Sequence, residues 1–296
     1  MWFKNLLIYR ITSDELEPSK LEGALSEYVL QDCLQLEMQS RGWMKPKESL
    51  DQFVHQYNQH LLVAFGMEKK LLPAAVINQY AKDRAAVMEQ HQGFRPSKKQ
   101  IRDIKEAVLI ELMPRAFVHR QTTYVWIDTA EKLLIIDTAN LKRAEEVIEL
   151  FIKSVPGFRI APLETKISPS AVMTRWLSGD EPPVAFTIDR ECELQSANNE
   201  KSTVRYSHHV LDADETSRHI KAGKKVTRLA LTWAHKISFV LQDNLQIKRI
   251  APLDIVKEAA ESSESADDVF DSDFVLMTGE ISQLLPDLIH ALGGNN

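Results

Sequence analysis

Cysteine is nearly missing from this chain. Cys33 and Cys192 are the only two in 296 residues, too few for a disulfide framework or a four-thiolate zinc site. A reducing, cytoplasmic compartment is the expectation that follows. No stretch approaches the ~18 uninterrupted apolar residues of a membrane-spanning helix, so no membrane partner is expected. The opening MWFKNLLIYRITSDELE returns to charge after a short apolar run and has no small-residue cleavage pattern, unlike a secretory leader. Internal repeats and Gly/Ser-rich linkers are also lacking. So are the sequence marks of common catalysts. Gly223-Lys224 is followed by Lys225 with no glycine five positions earlier, which excludes a GxxxxGK[ST] loop and the usual ATP-driven recombinase or helicase. GxSxG, HExxH and GxGxxG do not occur. His208, His209 and His219 have no Cys or carboxylate motif at ligand spacing beside them, so no metal is expected there.

What is present is a composition of globular type, 44% hydrophobic and 26% charged, with chain enough for two ordinary domains or one large one. The net charge is −6, but it is unevenly spread. Glu258, Glu261, Glu264, Asp267, Asp268, Asp271 and Asp273 form an acidic tract without a lysine or arginine among them. Exposed charges are screened within about 10 Å, so local excess rather than global charge decides what a surface attracts.

Periodicity predicts a strand over residues 1–11 and a helix from Pro18 to about Gln31. A strand follows at His60–Met67, then a helix over Lys69–Glu89. Ser97 followed by Gln100 reads as a capping box, opening a helix that Pro114 stops. Strands at Tyr124–Ile127 and Leu133–Asp137 precede a helix over Leu141–Lys153. In the second half, helices are expected at Pro169–Leu177, Asp214–Ala222 and Ile281–Leu292. Strands are expected at Val184–Ile188, Ser202–Tyr206, Val226–Trp233, Ile237–Gln242 and Leu245–Ile250. This order has no βαβ rhythm, so the fold class is α+β, with mixed helices and antiparallel sheets. A division near residue 165 separates an N-terminal α+β region (1–165) from a C-terminal α+β region (166–296).

Two segments concentrate positive charge. In the first, Lys98, Arg102 and Lys105 fall at i, i+4 and i+7 of the capped helix, with Lys99 beside them, while Ile101, Ile104 and Val108 occupy a neighbouring face. A basic row of this kind suits a phosphate backbone, although a merely solvated helix face has the same pattern. The second runs from Thr216 to Gln242 without an acid and carries Arg218, Lys221, Lys224, Lys225, Arg228 and Lys236. Strict alternation over Val226–Trp233 places Arg228 with Val226, Ala230 and Thr232 on the less apolar face. Lys248 and Arg249 add two cations on a later strand. Between the basic helix and the next strand, Leu112-Met-Pro114-Arg115-Ala116-Phe117-Val-His-Arg120 reads as an excursion. Its Phe117 either tucks into the core or stands exposed as an anchor. Glu164-Thr165-Lys166 matches half of a metal-dependent nuclease site, without an upstream aspartate in a strand context.

MWFKNLLIYR, LMPRAF (112–117), WIDT (126–129), KAGKKVTRLALTW (221–233), QIKRI (246–250) and DFVLMTGE (273–280) together resemble the RdgC family of bacterial recombination-associated proteins, in the same order over essentially the whole chain. The resemblance implies a protein that is not an enzyme and has no catalytic residue and no cofactor. It implies an elongated, curved protomer forming a ring-shaped homodimer. Such a ring encircles double-stranded DNA without sequence preference and restrains RecA, in the cytoplasm and associated with the nucleoid. Carried onto this chain, the finger is Pro114, Arg115, Ala116 and Phe117, which meets its counterpart in the second protomer. The expected DNA-binding residues are Lys98, Lys99, Arg102, Lys105, Arg115, Lys221, Lys224, Lys225 and Arg228. Alternatives from other classes are a metal-dependent nuclease using Glu164 and Lys166, and a module whose basic surface meets acidic protein partners.

Overall fold

A computed structural model describes residues 1–13, 16–196, 202–256 and 266–295. The strands form one antiparallel sheet in the order β2-β4-β5-β6-β1-β12-β11-β10-β8-β9, with β3 on β4 and β7 on β1. Their ranges are β1 Asn5–Ile11, β2 Gln39–Met44, β3 His55–Tyr57, β4 His60–Leu71, β5 Phe117–Asp128 and β6 Leu133–Ile136. The remainder are β7 Ile160–Pro162, β8 Phe186–Ser196, β9 Thr203–Ser207, β10 Lys224–Trp233, β11 Ile237–Gln242 and β12 Ile247–Pro252. The helices are α1 Pro18–Ser26, α2 Ala74–Gln92, α3 Lys98–Leu112, α4 Leu141–Ser154, α5 Pro169–Trp176, α6 Ala213–Lys221 and α7 Ala266–Ala291. The α+β class with antiparallel pairing is therefore the architecture found.

Strand β1 joins the two halves. One edge pairs Leu7–Arg10 with β6, while the other pairs Asn5 and Leu6 with β12 and then Tyr9–Ile11 with β7. Its near-continuous apolar run follows from burial on both faces. Leu6 and Ile8 enter a large core with α5 and α7, while Leu7 and Ile11 enter a second core with α1 and α4. The same two-sided alternation sorts β6, with Leu133 and Ile135 to one core and Leu134 and Ile136 to the other. On β10 and β11 one face enters the large core: Leu229, Leu231, Trp233, Ile237, Phe239 and Leu241 pack with α7 residues including Phe274, Met277 and Ile281.

Several boundaries differ from expectation for physical reasons. β4 runs on to Leu71 and β5 begins at Phe117, because the two pair residue for residue from His60–Asp128 to Leu71–Phe117. The expected helix start at Lys69 is thus strand, and α2 opens only after Pro73. Carried at the end of this two-stranded arm, α2 and α3 pack around Ala81, Ile104 and Val108, a small core of their own. The closing helix starts at Ala266 rather than Ile281, since Phe274 and Met277 continue the apolar stripe through the acidic tract. In that tract Asp271 pairs with Lys47 at 3.2 Å and Asp273 with the N-terminal amine, so these two acids serve the fold. Glu258, Glu261 and Glu264 lie outside the described residues. The short strands β2, β3 and β7 were not expected. Replacement of fully buried Phe274 by Ala should cost about 3–5 kcal/mol in urea unfolding. Val269→Ala on the exposed side of the same helix should change stability by less than about 0.5 kcal/mol.

Candidate nucleic-acid interface

The capping box forms as expected. Ser97 Oγ accepts from the Gln100 backbone N–H at 3.3 Å, and Gln100 Oε1 accepts from the Ser97 N–H at 2.8 Å. It fixes the rotation of α3, so that Ile104 and Val108 face α2 while Lys98, Lys99, Arg102 and Lys105 are all exposed. None of these four cations has an ion pair among the described residues. Arg95, just before the helix, does pair with Glu89, at 3.6 Å.

The finger is not an irregular loop. Met113–Arg115 is a single 3-10 turn, and Ala116 leads directly into β5. Pro114 and Arg115 are exposed, and Phe117 is 84% exposed, opposite Leu71, which is itself exposed. Of the two readings of Phe117, the structure selects the exposed one. Arg120 is no tip residue, because it binds Glu68 at 2.5 Å and Asp32 at 3.3 Å at the root of the arm. There Glu68 also accepts from the Cys33 backbone N–H at 3.0 Å. That bond, together with Arg120, outweighs burial and holds the Glu68 carboxyl below the ordinary carboxylate value. Beside it Lys70 donates to the carbonyls of Leu34 and Gln35 at 2.7 and 2.5 Å. The arm is braced by its own polar groups.

The second basic segment is less free than its sequence suggests. Gly223 adopts φ 86°, which turns the chain from α6 into β10. Lys221 and Lys225 are exposed, while Lys224 donates to Ser202 Oγ at 2.6 Å. A break in the β8–β10 register between Val226 and Arg228 leaves Thr227 unpaired, so strict alternation fails. Val226 therefore turns into the core, and Arg228 stands on the opposite face. On that face Arg228 lies 3.6 Å from Glu193 and 4.0 Å from Glu191, both on the adjacent β8. Lys236 is paired with Glu280 at 2.8 Å. This stretch of twenty-seven residues without an acid is thus answered in part by acids from β8 and α7. Asp189, Glu191 and Glu193 alternate along β8, and that i, i+2, i+4 spacing was the available signal.

Glu191 is the centre of this cluster. Arg249 reaches it at 2.7 Å, Arg205 at 3.5 Å and Arg228 at 4.0 Å. Burial works against the carboxylate's charge, but the Arg249 hydrogen bond and the three guanidinium charges prevail and keep its pKa below 4.5. Arg205 was not singled out from sequence. The two basic regions do not meet within one protomer: α3 hangs from β4 and β5, and β5 is separated from β10 by five strand spacings, about 24 Å.

Glu164 and Lys166 lie on an exposed segment after β7, next to the bridge between Thr165 and Asn295. No group of three or more His, Cys, Asp or Glu side chains at metal-binding separation occurs among the described residues. His209 and His219 pack against Tyr206, with ring contacts of 5.9 Å and 6.3 Å. No helix among the described residues is long and apolar enough to cross a membrane.

Comparison with known proteins adds a different kind of observation. The family described as "Putative exonuclease, RdgC" matches residues 1–295. The chain is 48% identical to the recombination-associated protein RdgC of Herminiimonas arsenicoxydans over 99% of its own length and 98% of the relative's. It is 45% identical to the protein of the same name from Bordetella pertussis, over 99% of both chains.

Because the Glu191 carboxyl is held below its ordinary value when folded, it stabilises the fold above about pH 4.5 and loses that contribution as pH falls through its folded-state value. Glu191→Gln should therefore flatten the acid limb of a stability–pH curve measured by thermal unfolding, and leave the neutral-to-alkaline limb unchanged in shape.

Proposed function

The chain belongs to the RdgC family, recombination-associated by the names of its relatives, and from that premise we propose a non-enzymatic protein that binds double-stranded DNA without sequence preference. In this reading two copies close into a ring around the duplex and restrain RecA on it, in the cytoplasm and on the nucleoid. The single observation that carries the DNA-binding part is α3. Four exposed cations, Lys98, Lys99, Arg102 and Lys105, stand on a capped helix with no ion pair among the described residues. Point charges along a helix attract phosphate without reading base edges, which need donors and acceptors placed in a groove.

The arm supports the dimer part. A large aromatic side chain held out on a strand end, next to exposed Leu71, is costly to leave in water and suits a self-complementary contact. Pairing through Phe117, with Pro114, Arg115 and Ala116 around it, would bring the α3 of one protomer toward that of its partner. Within one protomer α3 and the Lys221–Arg228 segment stand apart, since the strand that leads from α3, β5, is five strand spacings from β10. Two such protomers could thus place cations on both sides of an enclosed helix. A lining of this kind needs no strong individual contact, because leaving a closed ring requires opening an interface or reaching an end.

The family's printed description also names an exonuclease, and Glu164 with Lys166 would be the pair to carry it. Incubation of linear and supercoiled duplex with Mg²⁺ or Mn²⁺ separates the readings: intact DNA is expected, and shortening or nicking that disappears in Glu164→Gln would transfer the proposal to a nuclease.

Binding should weaken steeply with salt, with a log–log slope near −0.9 for each phosphate neutralised. Combined replacement of Lys98, Arg102 and Lys105 by Gln should flatten that slope by about 2–3, whereas an unchanged slope would take α3 off the DNA. Phe117→Ala should raise the dimer dissociation constant by about tenfold or more in sedimentation equilibrium, and an unaltered constant would remove the arm from the interface.

A further inference from the structure

The face of β8–β12 turned away from the large core holds more cation than its acids can use. Arg205, Arg228, Lys248 and Arg249 gather there around Glu191 and Glu193. Three guanidinium groups offer fifteen N–H donors, while the Glu191 and Glu193 carboxylates together provide about eight acceptor positions. Only the Arg249 contact, at 2.7 Å, is a short one; the Arg205 and Arg228 contacts stretch to 3.5 and 4.0 Å. The Arg228 Nε is buried and has no hydrogen-bond partner among the described residues. Burial, and then the charge of Arg228, push Lys248 below its ordinary value, which is what crowding of like charge does.

The backbone is shaped toward this arrangement. Arg249 adopts φ 54°, a left-handed conformation that a non-glycine residue rarely takes, where the β11–β12 register breaks between Ser238 and Val240. Strands β12 and β8 are three positions apart in the sheet, about 14 Å if it were flat. The 2.7 Å contact between Arg249 and Glu191 is made by long side chains leaning toward each other from both strands across β11 and β10. Guanidinium groups from β9, β10 and β12 converge on one point. Arg205 and Arg249 remain half exposed, so that point is open to solvent.

We propose that this convergence is a phosphate clamp for the DNA backbone, in which Glu191 occupies the phosphate's place until a duplex arrives. The proposal rests on the duplex-binding reading above and deepens it by naming a contact site. A phosphodiester brings one negative charge and two non-bridging oxygens, and the bidentate, planar geometry of arginine suits it. Its arrival meets the stretched Arg205 and Arg228 donors and the unpartnered Nε. Glu191 then acts as an intramolecular competitor, which lowers affinity for every sequence alike.

The test is duplex binding over a salt series with wild type, Arg249→Gln and Glu191→Gln, with thermal unfolding of each. Arg249→Gln should weaken binding several-fold and reduce the salt slope by about 1. Glu191→Gln should strengthen binding several-fold, a gain that a merely structural carboxylate would not give. An unchanged slope in Arg249→Gln, or unchanged or weaker binding by a folded Glu191→Gln protein, overturns the clamp while leaving the wider reading standing. Absence of salt-dependent duplex binding in the wild type overturns that wider reading itself. Inorganic phosphate at matched ionic strength provides the remaining arm. If it raises the melting temperature of wild type but not of Arg249→Gln, and neither variant alters duplex binding, the cluster takes free phosphate and the DNA assignment falls.

Discussion

Burial of β1 on both faces is the constraint on which the rest of the molecule depends. Its odd and even side chains enter different cores, and its two edges hold β6 on one side and β12 and β7 on the other. A strand in that position cannot slip by one residue, because a slip would exchange both sets of side chains and expose or overpack each core. The register of β1 therefore sets the relation between the half that carries the arm and the half that carries the Glu191 cluster. Any spacing of cations across the molecule is inherited from it.

The arm works under different rules. Beyond the second core, β4 and β5 have only each other and β2, and the polar groups of Glu68, Lys70 and Arg120 take over the bracing. Glu68 and Lys70 are buried, yet each is satisfied by backbone from the 33–35 segment or by Arg120, which is how charged groups come to be tolerated in such a place. The result is a stiff lever with an apolar end. A flexible loop would have had to lose conformational entropy to present Phe117 to a partner, and a paired strand has already lost it.

Much of this was legible in the residues, and what was not has identifiable causes. The capping box of α3 and the glycine ending α6 were readable because they are local rules, satisfied by neighbours within a turn. The α+β class followed from the order of elements. The early start of α7 was hidden beneath the acidic tract, because Phe274 and Met277 face a core supplied by distant strands. β2 escaped because QSRGWM has little strand character. It is held there by pairing with β4 and by Gly42, where an added Cβ would collide with the Leu30 backbone. Val226 was assigned to the wrong face because a bulge at Thr227 resets the alternation, and nothing in the composition of that strand announces a bulge.

The contrast between α3 and β10 lies in where each segment finds its neighbouring charges. A helix brings its own i+3 and i+4 neighbours to each side chain, and on α3 Asp103 stands four residues after Lys99 and Glu106 four after Arg102, yet neither makes an ion pair with them among the described residues. A strand brings the side chains of whichever strands lie beside it, and these come from elsewhere in the chain. For β10 the neighbour is β8, whose Glu191 and Glu193 stand on the same face as Arg228. Freedom from acids along the sequence is thus weak evidence of an electropositive surface for a strand. On the reading proposed above, this difference has a consequence: the helix attracts a polyanion at once, whereas the strand cluster must first exchange a carboxylate for it.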